Sequence, residues 1–115
     1  MKHLMNLHEG PYNLIKSGIK TIELRLYDEK RQAVSVGDEI EFINSSNPDL
    51  SLCCRVTALY KFSSFVELYK SLPLLKCGYT ESDIATASPD DMDFYYSKEK
   101  QEKYGVVGIE VKVLG

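Results

Sequence analysis

The octapeptide Gly18-Ile19-Lys20-Thr21-Ile22-Glu23-Leu24-Arg25 combines residue types suited to binding an anion or a nucleobase. Lysine supplies a point charge for phosphate, and arginine supplies a planar fork for phosphate or a flat face for a base. A carboxylate accepts from the exocyclic amino group of a base. On a strand, Glu23 and Arg25 share one face with side chains starting about 6–7 Å apart. They can bridge each other or present an acceptor beside a cation. Tyr27 continues that face and is expected to stack on a bound base. The plainer reading is a solvated strand face whose ion pair contributes only ~0–1 kcal/mol.

Other chemistries lack their patterns. The chain has no Gly-x-Ser-x-Gly elbow, no glycine-rich phosphate loop, and no Ser, His and Asp spacing that singles out a triad. Cys53 and Cys54 are adjacent and point to opposite faces of a strand, while Cys77 is isolated. No pairing with His3 or His8 has zinc-ligand spacing, so the cysteines read as reduced and structural, with no metal and no cofactor expected. Tyr95 and Tyr96 read as core or cover, and the acidic run from Glu81 to Asp93 as a solvated helix start.

The elements that must position the octapeptide follow from local pattern. Residues 2–7 read as a strand, with Leu4, Met5 and Leu7 as its apolar side chains. Pro11 suits the first turn of a helix that Gly18 stops. Residues 20–27 alternate with period two, placing Ile22, Leu24 and Leu26 inward and Thr21, Glu23, Arg25 and Tyr27 outward. A polar loop over 28–35 leads to a turn at Val36-Gly37-Asp38. Strands are expected at 39–43, with Ile40 and Phe42 inward, and at 50–60. Ser64 to Glu67 fits a capping box, so a helix runs to about Leu72 and ends at Pro73. Thr80 caps a second short helix. Ser88-Pro89-Asp90-Asp91 starts a third, which carries Met92, Tyr95 and Tyr96 on one side and ends before Gly105. Val106 to Leu114 closes the chain as a strand. The order reads as α+β, a small, partly open mixed β-barrel of about five to six strands with flanking helices.

With 115 residues and no linker or repeat, the whole chain (1–115) is expected to form one domain. No apolar run reaches the ~18–20 residues of a membrane span, and the first ten residues lack a signal-peptide core. A cytoplasmic location is therefore expected. The net charge of −3 argues against indiscriminate nucleic-acid binding. Residues 1–31 nevertheless carry six bases against four acids, leaving the remainder at −5. A local basic site on an acidic body favours a small, specific anionic ligand over a long duplex.

The octapeptide resembles the Gly-x-Lys-x-x-Glu-x-Arg signature of the ASCH domain, a branch of the PUA-like superfamily. Three more blocks match in order: Tyr12 to Ser17, Val36 to Phe42, and Tyr104 to Ile109. The resemblance spans nearly the whole chain, with 70–95 matching least. It implies a PUA-like barrel of the small stand-alone bacterial type, with a cleft beside the signature strand that binds RNA or a nucleoside or nucleotide ligand. Lys20, Glu23, Arg25 and Tyr27 are then the binding residues. Some small bacterial members are acetylcytidine amidohydrolases that use a Lys, a Thr three residues later and a distant Glu. Lys20 matches that lysine, but Glu23 stands at the threonine position, and no acid of the 65–83 region matches the third member. Catalysis by Lys20 and Glu23, or metal-assisted ribonuclease action, is accordingly the alternative to binding.

Overall fold

A computed structural model describes residues 1–114. Five strands form one mixed sheet in the order β1-β3-β4-β5-β2: β1 (Lys2–Leu7), β2 (Ile22–Leu26), β3 (Glu39–Asn44), β4 (Ser51–Phe62) and β5 (Val106–Val113). Only β1 and β3 run parallel; the other neighbours are antiparallel. The sheet curls into a half-barrel whose two edges are β1 and β2. The expected α+β, PUA-like architecture is therefore present, with five strands.

Helix α1 (Glu9–Lys16) joins the two edge strands and sinks Tyr12 and Ile15 into the core. It stops at Gly18, whose φ of +83° lies in the left-handed region where a side chain is strained. The loop expected over 28–35 contains one helical turn, α2 (Glu29–Gln32), capped by Asp28, whose side chain accepts from the Arg31 amide. That is a local carboxylate cap acting where composition alone reads as loop.

Strand β4 is long enough to serve both halves of the sheet because it bulges between Val56 and Ala58. Before the bulge, Cys54 and Val56 are buried in a first cluster that fills the half-barrel with Met5, Ile40, Phe42, Val107 and Ile109. Beyond it, Tyr60 and Phe62 pack against a second cluster outside the sheet, built on Ile22, Leu24, Leu26, Phe65 and Leu68. A bulge shifts the alternation by one residue and so lets one strand feed two cores. On β1 the inward residues are His3, Met5 and Leu7, whereas Leu4 is exposed, since strict alternation puts neighbours on opposite faces.

The chain from 65 to 104 covers the outer face. Ser64 caps α3 (Phe65–Ser71) by accepting from the Glu67 amide, but the Glu67 carboxylate accepts from Ser63, so the expected capping box is only half formed. A 3-10 turn (Leu74–Cys77) and α4 (Glu81–Ile84) follow, the latter with a complete capping box from Thr80 and Asp83. The third helix of the sequence reading is two elements, a 3-10 helix (Pro89–Phe94) and α5 (Lys98–Tyr104). Ser97 supplies a fresh N-cap, accepting from the Lys100 amide, which restarts the helix after Tyr95 and Tyr96.

Candidate functional site

The signature strand does not present its polar face to water. Register pairs Glu23 with Ile109 and Arg25 with Val107, both members of the first cluster. The Glu23–Arg25 face therefore looks toward the half-barrel, and Ile22, Leu24 and Leu26 face the helical cover. Both faces of β2 are thus occupied. Lys20 and Glu23 are 8% and 5% exposed, respectively, which sets aside the solvated-face reading.

Charges at such depth must be paired. Lys20 Nζ donates to Glu23 Oε1 at 2.8 Å, and Arg25 Nε donates to Glu23 Oε2 at 2.9 Å. Arg25 Nη2 lies 2.8 Å from the same oxygen and donates to the Asn6 carbonyl at 2.7 Å. One guanidinium thereby ties edge strand β2 to edge strand β1 across the opening of the half-barrel. The triad holds one net positive charge. Burial pushes the Glu23 carboxyl up, but the charges and hydrogen bonds of Lys20 and Arg25 outweigh it and hold it below the ordinary carboxylate value.

Local geometry delivers Lys20 to this point. Its amide donates to the Leu14 carbonyl at the end of α1, and the Thr21 amide donates to the Lys76 carbonyl. The second bond joins the start of β2 to the 3-10 turn before Gly78. Gly78 has φ +105°, and a Cβ there would stand 3.2 Å from Lys20 Cδ. The residue thus meets a left-handed backbone requirement and leaves room for the lysine stem.

Above the triad lies a cleft of about 800 Å³. Lys20, Glu23 and Arg25 form its floor, and Asn6, His8 and Pro11 at the β1–α1 junction form one side. The opposite wall comes from residues 77–96. Cys77 is buried there, and burial pushes its thiol up to about 11, so it is an unreactive lining group. The Tyr79 hydroxyl donates to Asp91 Oδ2 at 3.0 Å and is hydrogen-bonded to the Tyr69 hydroxyl. Asp91 also accepts from the Ser88 amide. This chain of contacts locks the wall to α3. Asp83, Asp90 and Asp91 give the wall a negative character.

Three of the four expected site residues, Lys20, Glu23 and Arg25, come together. Tyr27 does not join them. It is half-buried against the first cluster with Lys61 Nζ 5.0 Å from its ring centroid, and it does not line the cleft. The aromatic side chains that do line it are Tyr79, Phe94, Tyr95 and Tyr96. The sequence signal for the last three is the run Asp93-Phe94-Tyr95-Tyr96, dense in aromatics yet beside acids. Tyr96 fits the reading as cover, stacked on Phe65 at 6.2 Å, whereas Tyr95 is exposed. Of the acids in 65–83, only Asp83 reaches the cleft, and its carboxylate accepts from the Thr80 amide and hydroxyl. Among the described residues no cluster of three or more His, Cys, Asp or Glu side chains is arranged to hold a metal.

The ASCH-domain family model matches residues 5–115. The chain belongs to the ASCH-domain family. Two solved structures align with this ASCH domain over almost their full lengths. The crystal structure of hypothetical protein PH0355 is 34% identical, with a TM-score of 0.79, covering 99% of this chain and 100% of the other. The solution NMR structure of protein PF0455 from Pyrococcus furiosus is 35% identical, with a TM-score of 0.72, covering 99% and 98%. No curated protein matches the chain significantly. Among the described residues, no helix of this ASCH domain is long and apolar enough to cross a membrane.

Proposed function

We propose that this ASCH domain binds RNA, or a nucleoside or nucleotide ligand, in the cleft above Lys20, Glu23 and Arg25. The carrying observation is the triad itself, a buried and pre-oriented polar floor in a cavity large enough for a base and its sugar. One lysine hydrogen bond and two guanidinium contacts hold Glu23, which leaves further N–H donors of both cations for carbonyl or ring-nitrogen acceptors. Because the contacts are already fixed by the fold, little ordering cost falls on binding. The three wall aspartates disfavour a polyphosphate or a long backbone track, so recognition falls on the base and sugar.

Binding rather than catalysis is the better-supported activity. A carboxylate kept ionised by two cations is a poor proton acceptor, because Lys20 and Arg25 stabilise its charged form. The amidohydrolase alternative retains Lys20 but meets Glu23 in place of the threonine, and for metal-assisted ribonuclease action no group of three or more metal-ligating side chains is found among the described residues.

The test is a heteronuclear NMR titration with the four ribonucleosides, acetylcytidine and a short single-stranded RNA, following both protein and ligand signals for hours. Shifts centred on Lys20 to Arg25 with unchanged ligand are expected, and they should disappear in Lys20→Met. Conversion of acetylcytidine to cytidine would replace binding with hydrolysis. No shift with any of these ligands would remove the nucleic-acid reading.

A further inference from the structure

Phe94 is 87% exposed and Tyr95 60% exposed, yet both stand on the rim of the cleft. Their rings meet edge to face with centroids 5.2 Å apart. The residues on either side are anchored: Met92 is buried in the second cluster, and Tyr96 stacks on Phe65. Between these anchors the two rings contribute nothing to the core. They are held outward by a turn whose N-terminus is fixed by the Ser88–Asp91 capping box. Asp90 and Asp91 line the same cleft as the pair and repel phosphate. The surface therefore suits a flat, uncharged ring, and its continuity with the cleft makes that ring part of the same ligand.

From this we infer that Phe94 and Tyr95 form a stacking platform for a second, flanking nucleobase, so that the site takes an unpaired dinucleotide rather than one nucleoside. This rests on the reading of the cleft as a nucleoside site. One base lies in the cleft over the triad, the next stacks at the rim, and the linking phosphate faces solvent. The gain from the second base is a stacking gain, which is sequence-tolerant and insensitive to salt. A phosphate-driven gain would instead fall as salt rises.

The experiment measures affinities of the intact chain for the four ribonucleosides and their homodinucleoside monophosphates, by NMR or calorimetry. For the best-bound base, the dinucleotide should bind about tenfold more tightly than the nucleoside. Phe94→Ala should abolish that advantage by lowering dinucleotide affinity about tenfold more than nucleoside affinity, and Tyr95→Ala should reduce it. Both positions are exposed, so the variants should retain the wild-type NMR fingerprint. A dinucleotide no tighter than its nucleoside overturns the platform. So does a Phe94→Ala loss that is equal for both ligands, or an advantage that falls about two- to threefold between about 50 and 200 mM salt, as one phosphate contact would. If Lys20→Met leaves affinity intact while Phe94→Ala removes the advantage, the floor reading fails and the platform stands. If the wild type binds neither ligand class, both fall.

Discussion

The two walls of the cleft are built on different principles. The floor, carried by β2 and the residues leading into it, is made of two buried charged side chains and the half-buried Arg25, bonded to one another and to the β1 backbone, and backed by the first core cluster. The facing wall, residues 77–96, consists of helices of one or two turns held by polar caps and a tyrosine–aspartate chain, with aromatic rings left at the surface. A sheet ladder fixes positions cooperatively, whereas each cap contributes only ~1 kcal/mol and acts alone. The floor thus supplies rigid polar geometry, and the wall supplies shape and stacking area that can vary without unfolding the half-barrel.

Breaking the floor should have the largest effect. Glu23→Ala leaves two cations facing each other near the core, and we expect a loss of about 3–5 kcal/mol, read from urea unfolding. A loss below about 1 kcal/mol would mean that water enters the site and that the triad is a surface device after all. Lys20→Met is milder, since Glu23 keeps both Arg25 contacts. It should cost about 1.5–3 kcal/mol, the value of one charged hydrogen bond, while nucleoside binding disappears.

Acid offers a graded version of the same test. The folded Glu23 carboxyl lies below its ordinary value of about 4.3, so its stabilisation is complete above that pH and is lost as pH falls through the lowered value. In Glu23→Gln, a stability–pH curve should lose that part of its acid slope. On the opposite wall, Asp91→Asn weakens the cap and the Tyr79 anchor together. A stability change of about 1 kcal/mol or less is expected, but with a clear fall in ligand affinity, because the wall's shape rather than the fold depends on it. At the small end, Tyr27→Phe should change neither affinity nor the ligand-induced shifts. A measurable effect there would extend the floor past Arg25.

Much of the scaffold was legible locally. Alternation located the strands, Gly18 marked the end of α1, and Ser64, Thr80 and Ser88 each announced a helix start that the structure contains. The floor was legible too, as residue types at a particular spacing. The direction of that polar face was not. Alternation separates the faces of a strand without saying what covers each one, and in β2 a core lies on both sides. Tyr27 shares the face of Glu23 and Arg25, yet it sits beyond the cleft, beneath Lys61.

By itself, the sequence determined the element types, the helix stops and caps, and the set of charges that had to find partners. Those are consequences of backbone sterics, hydrogen bonding and side-chain period over a few residues. Tertiary structure alone decided that the Glu23 pair is buried, that Arg25 spans the two sheet edges, and that Phe94 and Tyr95 meet the cleft while Tyr27 does not. Each of these depends on segments distant in sequence packing against one another, where burial raises the cost of an unpaired charge and geometry chooses its partner.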